Sequence, residues 1–387
     1  MSRRTNLRFP TAAPNWRDMV WPMLHPAPQD TALHAISAWR ALFWMTLVAV
    51  FVAGVAPRWL VLYLIPAAVQ RPKEQSAPVT IPPPELVGTN YPAGTRIRDC
   101  ADDALCPWLR VLPPGFFRMG SPKSEAMRFE NEGPQHTVTI TSAFAVMETE
   151  VTRAQYARFV TDTNRRSKER CDDGSAGRGK LDKPKNWQSP GFAQTDAHPA
   201  VCVDWDDAIA FAAWWSGKTS ATYRLLTEAE WEYAARAASS TRYSFGASER
   251  DLCQYANMAD QDAKDLFKNL VIADCADGAV HTASVRTYKP NGFGLHDMHV
   301  NVSEWVADCW HESYQGAPVD GTGWQKNCSR NAFRVYRSGS WANNPDATRS
   351  AFRYRRAPGE FSNDVGFRMA RTLTPPSVTR LPAQPSR

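Results

Sequence analysis

The sequence predicts an α+β domain with little regular secondary structure, preceded by an N-terminal transmembrane helix. A long uncharged apolar run near the N-terminus predicts the helix. Alternating strand patterns and three helical patterns follow, and after about residue 240 only short strands and long loops rich in Trp and Gly are expected. The composition, 43% hydrophobic and 22% charged, is that of a folded protein.

The apolar run ALFWMTLVAVFVAGVA, residues 41–56, carries no charge and is slightly short for a straight membrane span. Together with the second apolar run at 59–69, it predicts an anchor over residues 38–70. Five arginines precede the run and three cations follow it closely, which favours a cytoplasmic segment 1–37 and an exported C-terminal domain. A cleaved signal peptide is the alternative. We therefore expect a single-pass protein of the bacterial inner membrane with a periplasmic domain.

All eight cysteines follow the apolar run and none precedes it. An even number on the exported side indicates disulfides formed in an oxidising compartment. The sequence contains no Cys-x-x-Cys pair of the kind that holds zinc. Nearest-neighbour pairing is the simplest connectivity, and the sequence leaves other pairings open. It would join Cys100 to Cys106, Cys171 to Cys202, Cys253 to Cys275, and Cys309 to Cys328.

Residues 71–96 are rich in proline and small polar residues and predict an extended linker. The folded domain is expected over residues 97–373, followed by a flexible tail at 374–387. Inside the domain, the segments 109–121 and 136–147 alternate apolar and polar residues, as half-buried strands do.

Helical patterns cover residues 151–163 and 204–219, and a third begins after Thr227. The second starts with aspartates, which suit a helix N-terminus, and is expected to end near Gly217. In the third, Thr227 and Glu230 form the sequence signature of a capping box.

The formal net charge of +6 is spread along the chain without a run of Lys or Arg. This distribution indicates a solvated surface of mixed charge, and a nucleic-acid partner is not expected.

In the stretch GFGLHDMHVNVSEW, residues 292–305, two carboxylates, Asp297 and Glu304, flank a segment that is expected to form a loop. Carboxylate and carbonyl oxygens are the ligands of calcium sites. From these residues alone, the favoured alternative is structural, with Asp297 capping a turn and Glu304 pairing with an arginine.

Four segments occur in an order that resembles the formylglycine-generating enzyme family, also called the sulfatase-modifying-factor domain. The resemblance covers about residues 97–373 and implies an elaborated C-type-lectin-like α+β fold. The segments are 115–140, 198–215 with 223–237, 290–310, and 334–355 with 363–371.

The resemblance also implies two structural calcium ions. The first would be held by the side chains of Asp297 and Glu304 and the carbonyls of Val300 and Val302. The second would be held by the side chains of Asn257 and Asp277 and the carbonyls of Met258 and Ala279. Val300 stands where the family commonly has glycine, so strain is expected there if this position requires a positive φ.

True oxidases of the family use copper, held by two cysteines after a Gly-Ser-aromatic motif, to convert a sulfatase cysteine to formylglycine. In RSGSWANNPDATRSAFRYR, residues 337–355, Asn343 replaces the first cysteine and Ala347 or a neighbour replaces the second. Because copper(I) prefers thiolates, no copper cofactor is expected. Other relatives use iron held by three histidines, whereas His296 and His299 are interpreted here as hydrogen-bonded structural residues.

The same stretch predicts a recognition surface for a polypeptide or peptide-derived partner in the cell envelope. Its candidate contacts are Trp341, Asn343, Asn344, Arg349, Arg353 and Arg355. Inward pairing of Arg349 and Arg353 with buried acids is the structural alternative. Two other functions stay open: an oxidoreductase with an unrecognised centre, as in pyoverdine-maturation relatives, and a lectin-type binding module.

Overall fold

The computed structural model describes residues 91–100, 103–172, 185–268 and 271–373. The predicted cytoplasmic segment, membrane anchor and C-terminal tail, with most of the linker, lie outside these residues. Across the described part of the chain, no helix has the length and apolar character needed to cross a membrane.

The three predicted helices are present; the second and third begin where predicted, and the first begins two residues after the start of its pattern. They are α1 (Arg153–Thr163), α2 (Trp205–Thr219) and α3 (Glu228–Arg236). Each begins with a capping box, in which the side chain of Thr152, Asp204 or Thr227 accepts a hydrogen bond from the third helical amide. Helix α2 runs two residues past Gly217, because its left-handed cap is Ser220.

The strands are short and separated by long loops. They are β1 (Arg96–Ile97), β2 (Leu109–Leu112), β3 (Gly115–Met119), β4 (His136–Ile140), β5 (Phe144–Met147), β6 (Tyr223–Leu225), β7 (Ser303–Cys309), β8 (Arg334–Arg337), β9 (Arg353–Arg356), β10 (Val365–Gly366) and β11 (Met369–Thr372). The predicted segment 109–121 divides into β2 and β3 around Pro113 and Pro114, because proline has no amide hydrogen to donate.

Two main sheets and one hairpin organise the domain. The first sheet has the order β1-β2-β5-β11-β6, the second has the order β10-β7-β8-β9, and β3 pairs with β4. All pairs are antiparallel except β10 with β7. After residue 240 the longest α-helix of the described residues is α4 (Leu252–Tyr255). This mixture of few helices, short strands and long loops confirms the predicted α+β class.

The core between α1, α2 and the sheets is aromatic. The ring of Phe211 lies 5.4 Å from that of Phe159 and 5.3 Å from that of Phe367, measured between centroids. In the same core, Trp305 of β7 donates its indole hydrogen to the Val203 carbonyl at 3.0 Å. The packing therefore fixes β7, and the loop that precedes it, against the helical layer.

The cysteines form the predicted nearest-neighbour disulfides, and none of the eight is free. The bonds are Cys100–Cys106, Cys171–Cys202, Cys253–Cys275 and Cys309–Cys328. Each bond closes a segment of this loop-rich chain, which limits the unfolded states available to it.

Buried arginine–glutamate pairs join α3 to the second sheet. Arg353 of β9 places two guanidinium nitrogens 2.6 and 2.9 Å from the Glu228 carboxylate. Arg337 of β8 donates to Glu232 at 2.6 Å and to Glu228 at 3.3 Å. These side chains are buried, so each charge depends on its partner for the hydrogen bonds that water would otherwise supply.

A further buried pair fixes the end of the loop after β8. Arg349 donates two hydrogen bonds to Glu132, at 2.6 and 2.7 Å, and one to Glu125 at 2.9 Å. Arg349 and Glu132 are both completely buried. The pair connects residues that are more than 200 positions apart in the sequence.

We predict that Arg349→Met will destabilise the domain by about 3–5 kcal/mol, because it leaves the Glu132 carboxylate buried without a counter-charge. Urea unfolding monitored by tryptophan fluorescence measures this change. The matched control is Arg158→Met, which removes an exposed arginine from an ion pair with Asp162. It is expected to unfold like the wild type. Equal unfolding midpoints for the two variants would contradict the prediction.

Candidate functional site

Trp341, in the loop after β8, lies at the centre of an aromatic group. Its ring centroid is 5.2 Å from that of Phe192, 4.7 Å from that of His281 and 6.1 Å from that of Phe267. Trp341 is buried, whereas its three partners are only half-buried. We call these four residues the Trp341 cluster. Sequence reasoning found Trp341 but missed its three partners, because they come from loops 60 to 149 positions away and no local pattern marks them.

The two predicted asparagines follow Trp341 and are half-buried. The Asn343 side-chain oxygen accepts hydrogen bonds from the Ser340 amide at 2.9 Å and the Ser340 hydroxyl at 2.8 Å. Asn344 makes a longer contact, 3.4 Å, with Asp346. Asn343 therefore shapes the loop that carries Trp341.

The structure corrects the prediction that Arg349 and Arg353 face a ligand. Both guanidinium groups are buried and bound to glutamates, because inward pairing satisfies their charges within the core. Arg355 remains half-buried, with its guanidinium 5.2 Å from the Trp310 ring centroid and paired with exposed Glu312. Of the three arginines, only Arg355 therefore has a guanidinium that is partly open to a partner.

Asn301 connects the Trp341 loop to both predicted calcium loops. Its side-chain oxygen accepts hydrogen bonds from Asn257 Nδ2 at 3.0 Å and from the Ala283 amide at 2.9 Å. Its carbonyl accepts the Trp341 amide at 3.0 Å. Asn301 is fully buried and adopts φ = +101°, a conformation that few side chains tolerate. Sequence reasoning missed it, because its importance depends on contacts between distant loops.

In the first predicted calcium loop, the side chains of Asp297 and Glu304 have different environments. Glu304 accepts the Arg368 guanidinium on both oxygens, at 2.7 to 2.9 Å, and the Trp231 indole hydrogen at 2.8 Å. Its carboxylate therefore pairs with an arginine, as in the structural alternative, and its role as a metal ligand stays a prediction. Asp297 Oδ2 accepts the Arg286 amide, while Asp297 Oδ1 is buried without a partner.

Glu150 lies beside Asp297 and was not found from the sequence. The two carboxyl groups are within hydrogen-bonding reach of each other, yet neither Glu150 oxygen has a donor in the described structure. Burial, followed by the charge of Asp297, raises the pKa of Glu150 well above its ordinary value. Unpartnered carboxylate oxygens of this kind fit an oxygen-ligand cation. At Val300 the expected strain is absent, since the positive φ values fall on Asp297 and Asn301.

The second predicted calcium loop also presents an unpartnered oxygen. Asn257 Oδ1 is buried and has no hydrogen-bond partner. Asp277 accepts the amides of Met258 and Ala279, each at 2.9 Å, so the loop bearing the two predicted carbonyl ligands wraps around its carboxylate. Burial raises the pKa of Asp277 to about 7. Asp260, which accepts the Asp277 amide at 2.5 Å, adds a second carboxylate. This set fits a hard cation with oxygen ligands.

Among the described residues, the only cluster of three His, Cys, Asp or Glu ligand atoms within 4.8 Å is Cys253, Asp260 and Asp277. The Cys253 sulfur belongs to a disulfide, so it offers no thiolate. His299 binds the Thr348 carbonyl oxygen and the Ser244 hydroxyl through its two ring nitrogens, and burial lowers its pKa to about 4. Among the described residues, therefore, no cysteine thiol is free and no three histidine rings lie close enough to bind one metal ion.

Residues 100–373 match the model of the sulfatase-modifying factor enzyme 1-like domain. The chain belongs to the formylglycine-generating enzyme family. It is 33% identical over 294 residues to the formylglycine-generating enzyme of Streptomyces coelicolor, which covers 67% of this chain and 87% of that protein.

Two solved structures are similar to this family member. PvdO from Pseudomonas aeruginosa is 35% identical with a TM-score of 0.63, covering 73% of this chain and all of PvdO. Treponema denticola variable protein 1 is 22% identical with a TM-score of 0.50, covering 69% of this chain and 95% of that protein, a likeness that concerns the fold alone. The family fold anticipated from the four sequence segments is thus confirmed.

We predict that Asn301→Ala will destabilise the domain by about 3–5 kcal/mol. It leaves the Ala283 amide and the Asn257 side chain without their buried acceptor and places alanine at a positive φ. Guanidinium unfolding midpoints measure the effect. Asn344→Ala, which removes only the long contact with Asp346, is the control and is expected to change stability by less than about 0.5 kcal/mol. A loss below about 1 kcal/mol in Asn301→Ala would contradict the central role of Asn301.

Proposed function

We propose that this protein is a membrane-anchored periplasmic member of the formylglycine-generating enzyme family that binds, or helps to mature, a polypeptide or peptide-derived partner. One observation carries the proposal. All eight cysteines form disulfides. Asn343 stands where the resemblance to the oxidases would put the first copper-binding cysteine, two residues after Trp341 of the aromatic cluster. The site therefore offers rings and amides for binding in place of thiolates for copper-dependent oxidation.

The chemistry of the Trp341 cluster supports a peptide-like partner. Half-buried Phe192, His281 and Phe267 offer apolar ring area, and Asn343 and Asn344 add amide groups that pair with peptide groups. Arg355 is partly open, but its contacts are Trp310, Phe333 and Glu312, none of which belongs to the Trp341 cluster. Apolar walls with a few placed polar groups are typical of ligand sites.

The periplasmic location rests on the disulfides and on the N-terminal apolar run. Four disulfides in one domain are typical of proteins that fold in an oxidising compartment. The charge bias around residues 41–56 favours export of everything that follows the run.

Calcium has a structural role in this proposal. Asn257, Asp277 and the carbonyls of Met258 and Ala279 would hold one ion, and Asp297 with the carbonyls of Val300 and Val302 would contribute to another. Bound calcium supplies positive charge to buried carboxylates. Because Asn301 joins both loops to Trp341, ordering of these loops also orders the binding site.

A second function, oxidation through a metal centre, is favoured by the resemblance to pyoverdine-maturation proteins and by the 35% identity with PvdO. It requires a redox-active metal whose ligands differ from the copper cysteines. A lectin-type ligand module is the third candidate, and it requires only the binding surface.

Metal analysis of the full chain, extracted in detergent without a chelator, separates these functions. We expect one or two calcium ions per chain and substoichiometric copper and iron, because the described ligand sets are carboxylates, amides and carbonyls. Elemental analysis by mass spectrometry makes the measurement. Stoichiometric copper or iron that survives dialysis would overturn the binding proposal in favour of an oxidoreductase.

Site-specific photocrosslinking tests the binding surface directly. With p-benzoylphenylalanine in place of Phe192, we expect a polypeptide or peptide adduct in cells, identifiable by mass spectrometry. The same group at Val319, which is 59% exposed and outside the Trp341 cluster, is the matched control and should give no such adduct. His281→Ala should weaken the adduct without unfolding the domain, since His281 is half-buried. Equal adducts at both positions would reject the Trp341 cluster as the binding site.

A further inference from the structure

Three buried carboxylates share one buried arginine near the start of β7. Glu150, Asp297 and Glu304 are at most 1% exposed, and Arg368 is fully buried. Glu150 is held in place by its neighbour Val151, whose amide donates to the Phe367 carbonyl at 2.9 Å. If all are ionised, the group carries two more negative charges than positive ones, which is costly in a dry interior.

Arg368 does not neutralise all three carboxylates. It forms its forked ion pair with Glu304 and gives its remaining hydrogen bonds to the carbonyls of Met147 and His296. Arg286 donates its amide to Asp297 but directs its guanidinium to Glu148 at 2.9 Å. Three oxygens therefore have no donor: both of Glu150 and Oδ1 of Asp297.

A shared proton would satisfy only one contact between Glu150 and Asp297. A divalent cation with oxygen ligands would pair with carboxylate oxygens that lack donors and would cancel the excess negative charge. We propose that Glu150 and Asp297 supply the side-chain ligands of a calcium-type cation site, while Glu304 remains paired with Arg368. This inference rests on the proposed calcium role and assigns to Glu150 the place that the family resemblance gave to Glu304.

Calcium content of Glu150→Gln tests the assignment. The variant is expected to bind one calcium ion fewer per chain than the wild type after equilibrium dialysis. Asp297→Asn should lose the same ion, and the double variant should lose no more than either single variant. The matched control is Glu148→Gln, which removes a buried carboxylate paired with Arg96, Arg110 and Arg286. It should keep the wild-type calcium content.

Melting of the wild type provides a readout that needs no variant. Chelation is expected to lower its Tm by about 5 °C or more, and added calcium should restore it. If Glu150→Gln folds with wild-type calcium content, the Glu150 assignment is wrong while the calcium proposal stands. If the wild type binds no calcium and its Tm is unchanged by chelator, then a shared proton holds Glu150 and Asp297 together and both proposals fail.

Discussion

The requirement that every buried charge has a partner organises this domain. Strands of two to seven residues and long loops bury many charged side chains along with the apolar ones. Arginines of β8 and β9 therefore form ion pairs with carboxylates of α3, and the arginine just before β11 forms an ion pair with a carboxylate of β7. Such pairs add little net stability over an apolar core, but removing one partner is costly, so they specify which loops meet.

The same requirement decides which residues are left for function. The guanidinium groups of Arg349 and Arg353 carry many hydrogen-bond donors, but these donors bind groups inside the protein and not a ligand. The groups that remain are the half-buried rings of the Trp341 cluster and the amides that follow Trp341. Asn301 accepts a hydrogen bond from the Trp341 backbone amide. The unpartnered oxygens of Asp297 and Asn257 lie in loops that Asn301 joins to the Trp341 backbone. The Trp341 cluster and these two loops therefore form one connected unit.

Membership of an oxidase family does not by itself give this chain the oxidase chemistry. That chemistry depends on two thiolates near one point, and here every sulfur of cysteine is bonded to another. A fold of this kind supports binding and catalysis with the same scaffold, and the side chains at a few positions choose between them.

The sequence by itself determined the α+β class, the family, and the helix starts at Asp204 and Thr227, because these follow from local patterns and ordered motifs, whereas it left the cysteine pairing open. Only the tertiary structure decided the partners of Glu304, Arg349 and Arg353, the central position of Asn301, and the place of Glu150 beside Asp297. The physical reason is that a charge or amide in the core is satisfied by groups far away in the sequence, and no local pattern records which distant group that is.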